Sequence, residues 1–278
     1  MKIKTIKFCS LFLYVLLIFQ LVSAFPISFG NKNETLIVKD SDATTGLPDR
    51  FRDLTNLNIS GSAQFTPSQI ENIKSSINKP DICIVDLRQE SHGFINDLAI
   101  SFYSIGKDLN NGFTTEETVS TEDKLLNSIK QNSQISIYDK LGKVLTNITV
   151  DSVSTENNAI NKNGLKYQRF AVKDGGIPSA TVIDVFVDFI KNKPEGQHLH
   201  FHCDAGEGQT TTFMVLYQIM TDNGNLSLDQ ILCYQYNMGG ITLTDDVDRA
   251  YFLNAFYNYV EKNKTDNYSI KFSQWIKQ

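Results

Sequence analysis

The part of the chain that most constrains the fold is a strand pattern, a short glycine-containing connection and a helix pattern in direct succession. Residues 198–202 alternate as a β-strand does, and apolar residues recur at helical spacing over 210–223. Cys203, Gly206 and Gly208 lie in or at the end of the connection between them. A strand that passes through a tight loop into a helix is typical of α/β proteins. The chain is therefore predicted to have an α/β fold.

Other segments extend this pattern. A continuous apolar run at 82–87, rich in β-branched residues, predicts a buried strand of a parallel or mixed sheet. Further strands are predicted at 98–103 and 167–172, and helices at 68–77, 179–193, 228–238 and 246–262. Residues 25–60 are polar and irregular, and we expect them to form an arm that lies on the body of the protein.

Residues 104–165 differ in character, because Gly, Asn, Thr and Ser are frequent there. A helix is predicted at 122–130. Strands at 135–138 and 144–150 flank a turn at 139–142, which indicates a hairpin. We therefore predict a small β-rich insertion at 104–165 within one domain that spans 25–278.

The overall charge gives no reason to expect nucleic acid as a partner. The 278 residues carry a formal net charge of −5, whereas a nucleic-acid-binding surface is basic. A phosphate-rich ligand would need a local basic pocket for the same reason.

The N-terminal segment is typical of a signal peptide. Three lysines lie within the first seven residues, an apolar run covers 8–22, and Val22-Ser23-Ala24 places small residues before Phe25. Cleavage after residue 24 would export the mature chain, to the periplasm or the medium, with no stable membrane span. The alternative is a retained membrane anchor, for which the run is short.

The cysteines leave two alternatives open. Cleavage removes Cys9 and leaves Cys83, Cys203 and Cys233, an odd number that implies at least one free thiol in an exported protein. Cys83 and Cys233 are either bridged or, as we favour, two small buried hydrophobic residues.

The connection after residue 202 is suited to binding an anion. Its glycines allow backbone N–H groups to converge, and the following helix adds the partial positive charge of its N-terminus. That field favours the thiolate of Cys203, which can attack phosphorus and form a phosphocysteine intermediate. Thr210 is placed to hydrogen-bond the sulfur and ease its departure. The predicted phosphate cradle consists of Asp204, Ala205, Gly206, Glu207, Gly208 and Gln209.

The chain resembles the protein-tyrosine-phosphatase-like (PTP-like) phytases, which are cysteine-dependent inositol polyphosphate phosphatases found in exported bacterial proteins. The resemblance covers roughly residues 45–278. It is carried by DLRQESHGFIN at 86–96, SFY at 101–103, LHFHC at 199–203, Gly208 with Thr210-Thr211, MGG at 238–240, FYNYV at 256–260, and the tail 268–277 with Trp275.

The resemblance implies a PTP-like fold, with a mixed central sheet flanked by helices and a small inserted barrel. It implies no cofactor and no metal, and a ligand that is an inositol polyphosphate or a phosphoprotein. Asp174 would be the general acid, in register with Pro178, and Gln235 would orient the attacking water. Three further residues would contact substrate phosphate, namely Arg88, His92 and Lys173, and Arg52 is a weaker candidate.

Three departures from the family pattern surround this predicted site. Gln209 replaces the loop arginine, whose bidentate contacts to phosphate tighten in the transition state. Gly175 replaces a histidine beside Asp174, and Gly175-Gly176 would loosen that loop. Tyr234 replaces an arginine before Gln235. Two hypotheses therefore stand: a phosphomonoesterase with weakened activity, or an inactive pseudophosphatase that binds a phosphorylated ligand.

A metal site is the other alternative for this region. His198, His200 and His202 stand at i, i+2 and i+4 on one face of the predicted strand, which is a metal-like spacing. Two of these histidines, His200 and His202, are also expected in the family without a metal. We therefore favour the hypothesis that these histidines bind no metal.

Overall fold

The described part of the chain forms two β-sheets and eight α-helices. The computed structural model describes residues 35–41, 44–104 and 109–278. The signal peptide predicted at 1–24, which contains Cys9, lies outside these residues. The strands along the chain are β1 (Leu36–Lys39), β2 (Arg52–Leu54), β3 (Ile59–Ser62), β4 (Ile82–Arg88), β5 (His92–Ile95), β6 (Leu98–Tyr103), β7 (Gln134–Tyr138), β8 (Val144–Thr149), β9 (Val153–Ser154), β10 (Lys166–Val172) and β11 (His198–His202).

The main sheet carries the predicted strand–loop–helix unit. Its order is β10-β4-β11-β3-β2, and β2 is antiparallel to β3 while the other neighbours are parallel. Every residue of β4 and β11 is buried, as expected for central strands that helices cover on both faces. The predicted α/β fold and the strands predicted at 82–87, 98–103 and 167–172 are confirmed.

The helices pack mainly around the main sheet. They are α1 (Ile70–Ile77), α2 (Thr115–Ser128), α3 (Glu156–Lys162), α4 (Ala180–Asn192), α5 (Gly208–Thr221), α6 (Leu228–Asn237), α7 (Val247–Asn263) and α8 (Phe272–Trp275). The helix predicted at 122–130 begins earlier, at Thr115, because Thr114 forms a capping box with Glu117. None of the described helices is long and apolar enough to cross a membrane.

An aromatic cluster fixes α5 against the main sheet. The ring of Phe186 on α4 lies 5.0 Å from that of Phe213 on α5 and 5.5 Å from that of Phe170 on β10, both edge to face. Every residue of α5 from Gln209 to Met220 is buried. Because α5 is held on all sides, the loop at its N-terminus has a fixed support.

The second sheet has six strands in the order β8-β7-β1-β6-β5-β9. The segment 104–165 supplies β7, β8 and β9, while β1, β5 and β6 come from outside it. The sheet formed there is therefore larger than the predicted insertion, and 104–165 stays a prediction as a domain division. The arm predicted at 25–60 is wrong for its described part, because that part contains β1, β2 and β3.

The described cysteines are all free. Cys83 and Cys203 are buried, as a small hydrophobic residue would be, whereas Cys233 is exposed. The structure therefore does not contain the Cys83–Cys233 bridge, and the prediction that Cys233 is buried is wrong, because its position on α6 faces outward.

Candidate active site

The loop between β11 and α5 packs tightly against the end of β3. Gly206 has a φ of +71°, and a Cβ built there would lie 2.4 Å from the nitrogen of Ala63 and 2.6 Å from the carbonyl carbon of Ser62. A side chain at this position would collide with backbone, and the left-handed conformation also favours glycine. The loop can therefore pass this close to the end of β3 only because residue 206 is a glycine.

Cys203 is enclosed by this loop. Its side chain is buried, and the Thr210 hydroxyl donates a hydrogen bond to its sulfur at 3.1 Å. Burial raises the pKa of the Cys203 thiol above its ordinary value, and the hydrogen bonds from Thr210 and from the backbone of Gly206 and Glu207 oppose that shift. The predicted contact of Thr210 is present. The expected preference for thiolate stays a prediction, which the loop donors favour and burial opposes.

Gln209 does not take the role that an arginine would have here. Its side chain is buried, and its amide donates a hydrogen bond to the backbone oxygen of Val172 at 2.6 Å. Val172 is the last residue of β10 and directly precedes the segment that carries Asp174. Gln209 therefore ties the loop to the Asp174 segment, and this bond uses one of the two N–H donors of its amide.

Lys173 and Asp174 lie on an exposed turn after β10. The N–H of Gly176 donates to the Lys173 oxygen at 2.9 Å, and Gly175 has a φ of +70° with open space around it. Lys173 and Asp174 line a small cavity of about 80 Å³ together with Gln89 and Glu90. The bond from Gln209 to Val172 brings this turn beside the loop, and the general-acid role of Asp174 stays a prediction.

A cation that the sequence did not single out joins the two segments. The Arg249 guanidinium, from the first turn of α7, lies 3.3 Å from the oxygens of both Gly175 and Gly176. It also lies 3.4 Å from where a Cβ of Gly208 would be. In the sequence, Arg249 follows Asp246 by three residues at the start of a helix. This spacing is typical of an exposed ion pair and does not indicate a residue of the site.

Arg52 contacts the loop from the other side. It donates hydrogen bonds to the Gly206 oxygen at 3.0 Å and to the Thr211 hydroxyl at 3.3 Å. Burial lowers the pKa of Arg52 to about 10, and the charge of Cys203 opposes that shift. Arg52 thus supports the loop and places a positive charge near the cysteine.

A cleft of about 500 Å³ opens beside the loop. Its lining combines acids and bases, which are Asp40, Ser41, Asp49, Arg50, Ala63, Gln64, Lys140, Asp204, Ala205 and Glu207. Arg50 pairs with Glu207 at 2.5 Å, and Lys140, from the turn between β7 and β8, pairs with Asp204. Burial alone would lower the pKa of Lys140, but Asp204 raises it. The cleft therefore offers cations that already have acidic partners.

Arg88 lies just under this cleft. It is 1% exposed and donates to the Asp40 carboxylate at 2.9 Å and to the Gln64 side-chain oxygen at 2.8 Å. Burial opposes its charge, yet Asp40 and Asp204 raise the pKa of Arg88 well above its ordinary value. A phosphate would have to compete with these partners for Arg88.

His92 lies in a buried ionic cluster instead of the phosphate loop. Its Nε2 is 3.3 Å from Asp86 and 3.4 Å from Glu156, and its Nδ1 is 3.4 Å from Glu122. Burial lowers the pKa of His92, but Asp86 and Glu122 outweigh this and raise it to about 9. Because these contacts surround the 1%-exposed ring, the structure does not support its predicted role as a phosphate ligand.

Asp86, His92 and Glu156 have ligand atoms within 4.8 Å of one another, a spacing that a metal ion could use. However, Tyr167 donates to Asp86 at 2.6 Å, and the side-chain amide of Gln64 donates to Glu156 at 2.8 Å. Protein donors thus already hold these carboxylates, and the arrangement fits a hydrogen-bonded ionic network better than a metal site.

The histidines of β11 have separate partners. His198 and His200 both hydrogen-bond Ser60, at 2.8 and 2.9 Å, and His200 also bonds Ser62 at 3.0 Å. His202 bonds the Glu156 carboxylate at 2.7 Å. The spacing that suggested a metal site therefore places two histidines against the serines of β3 and the third against a carboxylate.

Gln235 is directed toward the C-terminal part of α5. It is buried, and its amide donates to the Gln218 side-chain oxygen at 2.7 Å. Gln218 follows Thr210 by eight residues, which is about 12 Å along a helix. The structure does not bring Gln235 to the cysteine, so its predicted water-orienting role is unsupported. Tyr234, beside it, donates to Asn56 at 3.0 Å.

The stability of the protein is expected to depend on pH through these histidines. The folded-state pKa of His92 is about 9, so its contribution is fully present below about pH 6.5 and is lost as the pH rises through 9. Burial lowers the pKa of His198 to about 4 and that of His200 well below 6.5, so their contributions are lost as the pH falls below 6.5. The free energy of unfolding should be greatest near pH 6.5.

Urea unfolding at pH values from 4.5 to 9 tests this expectation. His92→Gln should flatten the decline between pH 6.5 and 9 and leave the acid-side decline in place. A free energy of unfolding that rises from pH 6.5 to 9 would contradict it.

The fold and the loop together define a class of protein. A parallel sheet core, a cysteine at the end of a central strand, a glycine-containing loop and a buried helix form the PTP-like α/β arrangement. A family model for PTP-like phytases, with the description inositol hexakisphosphate, matches residues 85–221, from β4 to the end of α5. Over this segment, 137 of the 278 residues, the chain is similar to the PTP-like phytases.

Two solved structures with PTP-like names and one sequence relative are similar to this chain. A PTP-like phytase from Bdellovibrio bacteriovorus has a TM-score of 0.76 at 28% identity and is covered over 98% of its length, with 90% of this chain. A PTP-like myo-inositol phosphatase from Mitsuokella multacida, in complex with myo-inositol-(1,3,4,5)-tetrakisphosphate, has a TM-score of 0.79 at 28% identity over 95% of this chain and 52% of that one. The effector protein hopD2 of Pseudomonas syringae pv. tomato is 26% identical over 243 residues, which is 80% of this chain and 52% of hopD2. The chain thus spans about half the length of hopD2 and of the Mitsuokella protein.

Proposed function

We propose that the protein is a cysteine-dependent phosphomonoesterase that removes phosphate from an inositol polyphosphate. The observation that carries this proposal is the Thr210 hydroxyl bonded to the Cys203 sulfur at 3.1 Å, inside a glycine loop at the N-terminus of a buried helix. The bound inositol phosphate of the Mitsuokella relative supports the substrate class.

The proposed reaction has two steps. The Cys203 thiolate attacks phosphorus, an S–P bond forms, the ester P–O bond breaks, and Asp174 gives its proton to the leaving oxygen. Water then attacks phosphorus, gives a proton to the Asp174 carboxylate, and breaks the S–P bond while Thr210 stabilises the departing thiolate. The first step needs the thiolate form of Cys203, which burial opposes and the loop hydrogen bonds favour.

A second function has its own observations. The Gln209 amide donates a hydrogen bond to the Val172 oxygen. In the cleft, Arg50 and Lys140 each have an acidic partner. These contacts favour a protein that binds a phosphorylated small molecule or a phosphoprotein without turning it over. The two functions share the pocket and differ in whether Cys203 forms a bond to phosphorus.

Phosphate release by the wild type and by Cys203→Ser tests the first function. The substrates are inositol hexakisphosphate and a phosphotyrosine peptide. We expect the wild type to release phosphate from inositol hexakisphosphate at least about 10²-fold faster than Cys203→Ser, because the serine hydroxyl is a far weaker nucleophile. Equal rates for the two proteins on both substrates would reject the enzyme. Saturable binding of either substrate by Cys203→Ser would then support the second function.

A further inference from the structure

The Arg249 side chain lies between two segments that the proposed reaction needs in fixed relation. It is 7% exposed. Its Nη2 lies 3.3 Å from the oxygens of Gly175 and Gly176, and both terminal nitrogens lie 3.4 Å from where a Cβ of Gly208 would be. Arg249 thus contacts the turn that carries Asp174 and the first residue of α5 together.

The Asp174 turn is held at two points. Gln209 binds the Val172 oxygen where the turn begins, and Arg249 binds the two glycine oxygens where it ends. Gly175 has a positive φ and open space around it, so its own conformation restrains the turn little. Gln209 and Arg249 therefore bind backbone oxygens on either side of Asp174, and of these two side chains only Arg249 is charged.

The charge of Arg249 also differs from that of the cleft cations. Its acidic neighbour Asp246 is 3.9 Å away and 40% exposed, whereas Arg50 and Arg88 have carboxylates within 2.9 Å. An exposed pair at that distance compensates little of the charge. The positive charge of Arg249 is therefore little compensated by Asp246, and it acts on the backbone oxygens of the turn and on the N-terminus of α5.

We propose that Arg249 is a positioning residue that holds the Asp174 turn against the phosphate loop through the oxygens of Gly175 and Gly176. It thereby sets the orientation in which Asp174 protonates the leaving oxygen. This inference rests on the proposed phosphatase function. It assigns Arg249 no contact with the substrate.

Leaving-group dependence separates this role from a general structural one. In Arg249→Gln, kcat for inositol hexakisphosphate should fall by about 10- to 10²-fold with little change in KM, because an alkoxide leaving group needs the acid. For p-nitrophenyl phosphate, whose leaving group needs no proton, kcat should stay within about twofold. Asp174→Asn should show the same pattern, and adding Arg249→Gln to it should cause little further loss. Arg249→Lys should recover part of the activity, because an ammonium can also donate to carbonyls.

Hydrogen exchange gives a readout that needs no turnover. Arg249→Gln should speed amide exchange in a peptide covering 173–178 and leave a peptide covering 252–260 of α7 unchanged. Asp246→Asn is the matched control: it keeps an N-cap residue on α7, removes the weak ion pair, and should leave exchange at 173–178 unchanged.

Two results would overturn the inference: unchanged exchange at 173–178 in Arg249→Gln, or equal losses of kcat on both substrates. Failure of the proposed function has a different signature, since the wild type would then match Cys203→Ser on every substrate. In that case the exchange result alone decides whether Arg249 holds the turn.

Discussion

Gln209→Arg is expected to raise kcat/KM for inositol hexakisphosphate by about 10²-fold over the wild type. A guanidinium at this position provides two charge-assisted donors to phosphate, which strengthen as charge develops in the transition state. A 10²-fold gain corresponds to about 2.7 kcal/mol. The arginine must give up the bond that Gln209 makes to Val172, and it joins Arg249 near Gly208. Both effects hold the gain below the ~10⁴ that an undisturbed bidentate contact could supply.

The same substitution is expected to change the cysteine itself. A positive charge beside a thiol favours the thiolate, so the pKa of Cys203, which burial raises in the wild type, should fall in Gln209→Arg. The measurement is the rate of alkylation of Cys203 by iodoacetamide as a function of pH, beside steady-state rates. The pH at which alkylation reaches half its maximum should be lower in the variant.

Two variants control this prediction. Gln209→Lys adds the charge without the planar fork and should give a smaller gain. Gln274→Arg adds the same residue at an exposed position near the C-terminus, far along the chain from the loop, and should leave kcat/KM unchanged. If Gln209→Arg alters neither turnover nor the pH of alkylation, restoring the arginine alone does not restore a catalytic pocket. That outcome would favour the binding function.

The sequence predicted three of the five strands of the main sheet, β4, β10 and β11, because their signals are local, and it missed β2 and β3. The apolar run that became β4 and the alternation that became β11 each specify a strand without reference to the rest of the chain. The cysteine–threonine contact was also predicted, since loop and helix geometry fix it within eight residues. β1 was missed because it has four residues and is stabilised by pairing with β6 and β7, which lie more than 55 residues away.

The rest of the site depended on contacts that no local pattern encodes. Glu156 sits in the first turn of a short polar helix, where an exposed acid is the usual expectation, yet it is fully buried. Its histidine partner on β11 is 46 residues away in sequence. In the same way, nothing near Gln209 or Arg249 indicates that their side chains meet the backbone of the Asp174 turn. Side-chain direction in such places is decided by tertiary packing.

Glu156→Gln is expected to lower the free energy of unfolding by about 3–5 kcal/mol, the usual cost of breaking a buried ion pair. The carboxylate accepts from His202 at 2.7 Å and from Gln64 at 2.8 Å, and it lies 3.4 Å from His92. Burial would raise the pKa of Glu156, but His202 and His92 lower it well below its ordinary value, so the carboxylate is charged. An amide in its place removes that charge and points a donor at groups that also donate.

Urea unfolding at pH 6.5 measures this loss, and Glu261→Gln is the matched control. Glu261 is exposed, so its substitution should stay within about 0.5 kcal/mol of the wild type. A double-mutant cycle with His202→Gln should show a large coupling, because each single variant leaves the other member of this buried pair without its partner. A loss below 1 kcal/mol in Glu156→Gln would show that the cluster relaxes or admits water. Because His202 directly precedes Cys203, the expected loss also predicts that alkylation of Cys203 will become faster as the end of β11 loosens.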